Sequence, residues 1–158
     1  MRAVIQRVSS ASVRTDDGFA NAIGSGLLVL LGVGRSDTPA DCAWLAEKIV
    51  KLRIFPEGPG GAGPGEGEQM ARAVRDVEGE ILVVSQFTLH ASVRKGTRPS
   101  FNDAAPPEQA IPLYDEFILQ LQTALGRRVQ TGKFGAMMKV SLVNDGPVTI
   151  VIDTKARD

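Results

Sequence analysis

The run Ser85-Gln86-Phe87-Thr88-Leu89-His90 holds two hydroxyls, a carboxamide and the chain's one histidine within six residues. A hydroxyl two positions from an imidazole is the minimal pairing of nucleophile and base. The same residues also read as the polar end of a strand, with Gln86, Thr88 and His90 on one face and Ser85, Phe87 and Leu89 on the other. Spacing alone leaves both readings open. A second segment, Asn144-Asp145-Gly146-Pro147-Val148-Thr149, carries Gly-Pro between two strand-like runs. A turn is its default reading. An X-Pro bond favours trans by only about 0.5–1 kcal/mol, so a rigid cis unit offering backbone carbonyls to a ligand is the other. A third segment, Arg94-Lys95-Gly96-Thr97-Arg98, sets three cations in five residues with no acid among them. It is either a solvated loop or a patch for phosphates.

Other chemistries are excluded by what is missing. There is no Gly-x-Ser-x-Gly elbow, no His-Glu-x-x-His and no Cys-x-x-Cys. With only Cys42 and His90 as soft ligands, an internal disulfide is impossible and a zinc site is not expected; no cofactor is implied. Eighteen Lys plus Arg balance eighteen Asp plus Glu, which argues against a dedicated non-specific DNA binder. A chain of 158 residues, 43% apolar and 23% charged, fits one globular domain over residues 1–158. No stretch approaches the ~18 apolar residues of a membrane span. The first residues, Met1-Arg2-Ala3-Val4-Ile5-Gln6-Arg7, do not form a signal peptide, so a soluble, cytoplasmic protein is expected.

The elements that must position these residues read as follows. Residues 3–8, 10–13 and 19–23 give short strands, with a turn at Asp16-Asp17-Gly18, and Leu27 to Val33 reads as a fully buried strand. Thr38, Pro39 and Asp41 mark a helix start, and Cys42, Leu45, Ala46, Ile49 and Leu52 form its apolar face. On that face Cys42 reads as a core residue, and Trp44, off the stripe, as a second packing surface. Arg53 to Phe55 is a short strand. From Gly58 to Glu68 six Gly and two Pro predict a flexible loop. Val74 to Val77 and Ile81 to Leu89 then read as a hairpin around Glu78-Gly79. A second helix carries Ala110, Leu113, Tyr114, Phe117, Leu121 and Leu125 on one face and stops at Gly126, with Pro112 predicting a bent or late start. Strands at 129–131, 139–143 and 148–152 finish the chain. The fold class is mixed α/β: a single compact layered β/β/α domain, with largely antiparallel strands and two main amphipathic helices.

Six ordered blocks carry a resemblance over nearly the whole chain: Gln6-Arg7-Val8, Gly26 to Gly32, Leu52 to Phe55, Ser85 to Leu89, Lys95 to Phe101, and Val143 to Thr149. Together they resemble the D-aminoacyl-tRNA deacylase family. The resemblance implies a cytoplasmic, metal-independent homodimer that hydrolyses the ester joining a D-amino acid, or glycine, to the terminal adenosine of tRNA. It places the catalytic motif on Ser85, Gln86, Phe87 and Thr88, and the substrate-binding motif on Gly146, Pro147, Val148 and Thr149. It further implies that Gly146-Pro147 is cis, reaches the partner subunit's active site, and excludes L-residues by sterics. Backbone N–H groups near Phe87 and Thr88 then stabilise the oxyanion, and the tRNA 2′-hydroxyl assists; a Thr88 nucleophile is the alternative. Arg94, Lys95 and Arg98 become phosphate contacts for tRNA, whereas His90 stays a structural residue. One block departs: where the family has a Lys-Met-Asn-like stretch, this chain has Gln69-Met70-Ala71-Arg72-Ala73. Two other readings stay open, a non-catalytic tRNA-binding module and a small-molecule esterase built on Thr88 and His90.

Overall fold

The computed structural model describes residues 1–58 and 69–157. Of the Gly58–Glu68 loop expectation, all but Gly58 lies outside the described residues. A long strand β1 (Arg2–Arg14) organises the main sheet. On one side it pairs antiparallel with β2 (Ala20–Ile23) and β3 (Gly26–Gly32), and on the other with β8 (Lys139–Asp153). From β3 the sheet continues through β6 (Glu80–Ser85) and β7 (Gln130–Thr131), both in parallel pairings. A separate antiparallel pair joins β4 (Arg53–Pro56) to β5 (Met70–Ala73). Two helices, α1 (Pro39–Lys51) and α2 (Pro107–Leu125), pack against each other and against one face of the main sheet.

The run Gly26-Leu27-Leu28-Val29-Leu30-Leu31-Gly32 explains why the sheet is layered. Strand side chains alternate between faces, and here both faces are covered. Leu27, Val29 and Leu31 enter the core beneath the helices, together with Ile81, Val83, Leu45 and Phe117. Leu28 enters a second core with Val8, Val13, Leu82 and Val84. Cys42 is fully buried, and burial pushes its thiol up to about 11, as a core residue requires. Trp44 is partly buried on the same core, with Arg157 4.3 Å above its ring. Among the described residues no helix is long and apolar enough to cross a membrane.

Four local expectations are corrected. Residues 10–13 are not a separate strand but the second half of β1, which runs unbroken to Arg14. The hairpin around Glu78-Gly79 does not form: β5 ends at Ala73, residues 74–79 turn, and β6 pairs in parallel with β3 instead. Val74 looked like a strand residue because it is apolar and buried, but it sits at the start of that turn and packs into the main core. Helix α2 begins at Pro107 in spite of Pro112, which falls in its second turn. Finally, residues 139–143 and 148–152 both pair with β1 in one direction, so Asp145-Gly146-Pro147-Val148 is an outward bulge rather than a turn.

The start of α1 shows how the C-terminal segment is tied down. The Asp41 carboxylate accepts the Thr38 N–H at 2.9 Å and its hydroxyl at 3.2 Å, the reciprocal cap that the sequence announces. The same carboxylate, almost fully buried, accepts from Lys155 Nζ at 2.8 Å and faces Arg157 at 3.6 Å. Burial alone would raise its pKa; Lys155, the Thr38 N–H and Thr154 together hold it well below the usual carboxylate range. A carboxyl depressed in the folded state contributes stability above its unfolded pKa of about 3.9, and that contribution is lost as pH falls below it. Asp41→Asn should therefore cost about 1–2 kcal/mol at pH 7, mainly from weakened capping, since Lys155 keeps the Asp37 carboxylate at 3.7 Å. In denaturant titrations the gap to the parent protein should shrink by pH 3. A gap that persists undiminished there would show that the ion pair contributes nothing.

Candidate active site

Strand β6 delivers the first chemical motif. Ser85 stands in register with Leu31 of β3, and the Gln86 N–H donates to the Leu31 carbonyl at 2.7 Å. There the strand stops, and Phe87–His90 wind into a 3-10 turn closed by Leu89 N–H to Gln86 O at 3.2 Å and Ala91 N–H to Thr88 O at 3.0 Å. The expected strand faces are thereby broken: Thr88 and His90 share no hydrogen bond, and Thr88 instead accepts from the Gln86 carboxamide. The first N–H groups of a helical turn have no partner within it. Here those of Phe87 and Thr88 are donors without an acceptor among the described residues, and Thr88 is exposed.

Beside this turn lies a cavity of about 440 Å³, within the range of small-ligand sites. Ser85, Gln86 and Phe87 form one wall. The start of α2 and the aromatic pair Tyr114 and Phe134, with ring centroids 5.5 Å apart, form another. Phe87 is largely exposed but held edge-on against Phe101 at 5.1 Å. The Tyr114 hydroxyl donates to the Val83 carbonyl at 3.2 Å, and burial pushes its phenol far up, so Tyr114 is a neutral wall rather than an acid or base. Thr88 borders this cavity in sequence but does not line it.

His90 is a packing residue. Its ring is buried against β3 and the residues after it; a Cβ on Gly32 would stand 3.0 Å from its Cδ2, and one on Gly34 2.9 Å from its Cε1. The glycines are what make room for the imidazole.

The second motif is elsewhere. In β8 the bulge is stitched at its base by Asn144, whose side-chain amide donates to the carbonyls of Arg7 and Val148, both at 3.0 Å. Beneath it lies the buried Arg7 guanidinium, donating to Asp145 O at 3.0 Å and Ile54 O at 2.7 Å. The Gly146-Pro147 bond is cis, and both residues are exposed. Neither they nor Val148 and Thr149 line the cavity of their own chain. The basic segment forms a third, separate feature. Reciprocal backbone bonds between Ser92 and Ser100, 2.8 and 2.9 Å, pinch a loop that exposes Arg94, Lys95 and Arg98, none of them paired with a carboxylate among the described residues.

Comparison with known proteins decides what this arrangement belongs to. The D-Tyr-tRNA(Tyr) deacylase family matches residues 4–153. The chain belongs to this family. Over the full length of both chains it is 61% identical to the D-aminoacyl-tRNA deacylase of Opitutus terrae and 52% identical to that of Akkermansia muciniphila. In three dimensions it resembles the c-Myc DNA Unwinding Element Binding Protein with a TM-score of 0.84 and 42% identity, covering 97% of this chain and 98% of that one. The sequence singles out both motifs but gives no sign of the other cavity walls. Arg35, Tyr114 and Phe134 come from distant segments, and nothing in their local spacing announces a shared surface.

Proposed function

We propose that the chain is a chiral proofreading enzyme that works through backbone groups and a second copy of itself. Family membership makes it a D-aminoacyl-tRNA deacylase, a hydrolase with aminoacyl-tRNA as substrate. In our reading the aminoacyl-adenosine end enters the cavity beside Ser85, Gln86 and Phe87. Water adds to the ester carbonyl carbon, and the charge developing on the carbonyl oxygen meets the N–H groups of Phe87 and Thr88, donors worth about 2.7–4 kcal/mol each in comparable sites. The neighbouring 2′-hydroxyl relays a proton from the water to the leaving ribose oxygen. The carbon–oxygen bond then breaks, releasing the D-amino acid and free tRNA. The observation that carries this reading is the pair of consecutive N–H groups, those of Phe87 and Thr88, that find no acceptor among the described residues where the chain leaves the cavity wall at Phe87.

Selectivity is assigned to Gly146-Pro147 of the partner subunit, set as a wedge against the α-carbon, which rejects an L side chain and accepts glycine. The edge strand β8 supports such pairing: among the described strands it pairs with β1 alone, and Val143 and Val151 stand exposed at 57% and 70%. Arg94, Lys95 and Arg98 contact tRNA phosphates in this reading, and the reaction takes place in the cytoplasm, without metal or cofactor.

The test is deacylation of D-tyrosyl-tRNA beside L-tyrosyl-tRNA, with Thr88→Ala run in parallel. The parent should release only the D-residue, and Thr88→Ala should stay within about fivefold, because the hydroxyl is not the attacking group. A nucleophilic Thr88 would instead cost about 10⁴-fold or more. Loss of neither ester, with tRNA binding retained, would leave a non-catalytic binding module.

A further inference from the structure

Arg35 is the one ionised side chain lining the cavity among the described residues. Its backbone is held at both ends: the N–H donates to Asp103 O at 3.2 Å, and the carbonyl accepts from the Gln109 amide at 2.8 Å. Its Nε donates to Asn102 O at 2.5 Å, which fixes the plane of the guanidinium and leaves the terminal N–H groups free. No carboxylate pairs with it among the described residues, and the residue is exposed. Arg35 also lines a second, more polar cavity of about 330 Å³. Its lining also holds Asp37, Asp103 and Asp153, and the other cations are committed: the Met1 ammonium to Asp37 at 2.6 Å, Arg2 to Asp153 at 2.8 Å and Lys155 to Asp41 at 2.8 Å. A preoriented fork with no anion, at the junction of an apolar pocket and a polar one, calls for an anionic ligand that passes between them.

We infer that Arg35 binds the 5′-phosphate of the terminal adenosine, so that the site distinguishes the end of a polynucleotide from a free aminoacyl nucleoside. This rests on the deacylase reading above. An aminoacyl ester has no free carboxylate, and its ammonium would be repelled, which leaves the phosphodiester as the anion. Geometry permits it: Arg35 lies four residues beyond Leu31, the residue in register with Ser85, a span of at most ~14 Å at full extension. The ester and the phosphate occupy opposite ends of one ribose.

The experiment compares kcat/KM on 3′-O-D-tyrosyl-adenosine, its 5′-monophosphate, and D-tyrosyl-tRNA, for the parent protein, Arg35→Ala and Arg35→Lys. The parent should prefer the phosphorylated compound, and Arg35→Ala should lose about tenfold more on it and on tRNA than on the nucleoside. Arg35→Lys should recover part of the loss, since it keeps charge without the fork. Equal losses on nucleoside and nucleotide, no loss on either, or no preference by the parent for the phosphate (inactivity on both small compounds included) would overturn the assignment. A parent protein that spares D-tyrosyl-tRNA altogether would sink the deacylase reading itself. One that cleaves the tRNA ester yet shows no phosphate effect sinks only the role of Arg35.

Discussion

Gly26→Ala should abolish folding or lower stability by more than about 4 kcal/mol, a loss seen only where a buried backbone contact or core is broken. Gly26 opens β3, between Val8 of β1 and Glu80 of β6. A Cβ there would lie 1.9 Å from the Glu80 carbonyl oxygen and 2.7 Å from its carbon and nitrogen. These are backbone atoms, so no rotamer change relieves the clash. Only a shift of β6 would, and β6 carries Leu82 and Val83 in two cores and Ser85 in the site. The control is Gly126, the left-handed cap of α2, where an added Cβ meets nothing within 4 Å. Gly126→Ala should cost only about 1 kcal/mol, for its positive φ. Thermal unfolding separates the two, at about 2–4 °C per kcal/mol for a chain of this size. If the two variants melt together, close contact between β3 and β6 is not what Gly26 serves.

That contact also marks where sequence reading succeeds and where it stops. The apolar run 27–33 identifies a strand buried on both faces, and Thr38 with Asp41 identifies a helix start, because both signals are local. Which strand lies beside β3 is not local. The pairing with β6 crosses more than forty residues of sequence, whereas the apolar alternation around Glu78-Gly79 suggests a nearby hairpin partner that β6 does not take. Ser85 to His90 misleads for a related reason. Period-two alternation continues through Phe87 and Leu89, yet the pairing with β3 ends at Ser85 opposite Leu31, and the chain then winds into a 3-10 turn. The motif residues themselves were legible by type. Their setting was not, since the cavity wall gathers Arg35, Phe101, Tyr114 and Phe134 from four separate segments.

Gly146→Ala should cut deacylation of D-tyrosyl-tRNA by about 100-fold, the scale set by an ångström-sized misplacement at a reacting centre, with the protein still folded. Gly146 sits at φ +129°, a conformation that L side chains rarely adopt. An added Cβ would approach Val148 Cγ2 to 2.8 Å, Val148 N to 3.0 Å and the Arg7 guanidinium to 3.1 Å. The bulge is exposed, so the chain can relieve this by moving outward, which spares the cores but displaces Pro147. Arg7 would follow, because its bond to the Asp145 carbonyl is part of what seats the bulge, while its bond to Ile54 O resists the shift. The loss should therefore appear in kcat/KM with only a few degrees' change in melting, and discrimination against L-tyrosyl-tRNA should weaken at the same time. Mixing Gly146→Ala protein with a Phe87→Ala variant provides the sharper test. If the bulge of one subunit serves the cavity of the other, mixed dimers hold one site with both motifs intact, and activity should rise above that of either variant alone. No recovery in stable mixed dimers would mean that the two motifs do not meet across subunits.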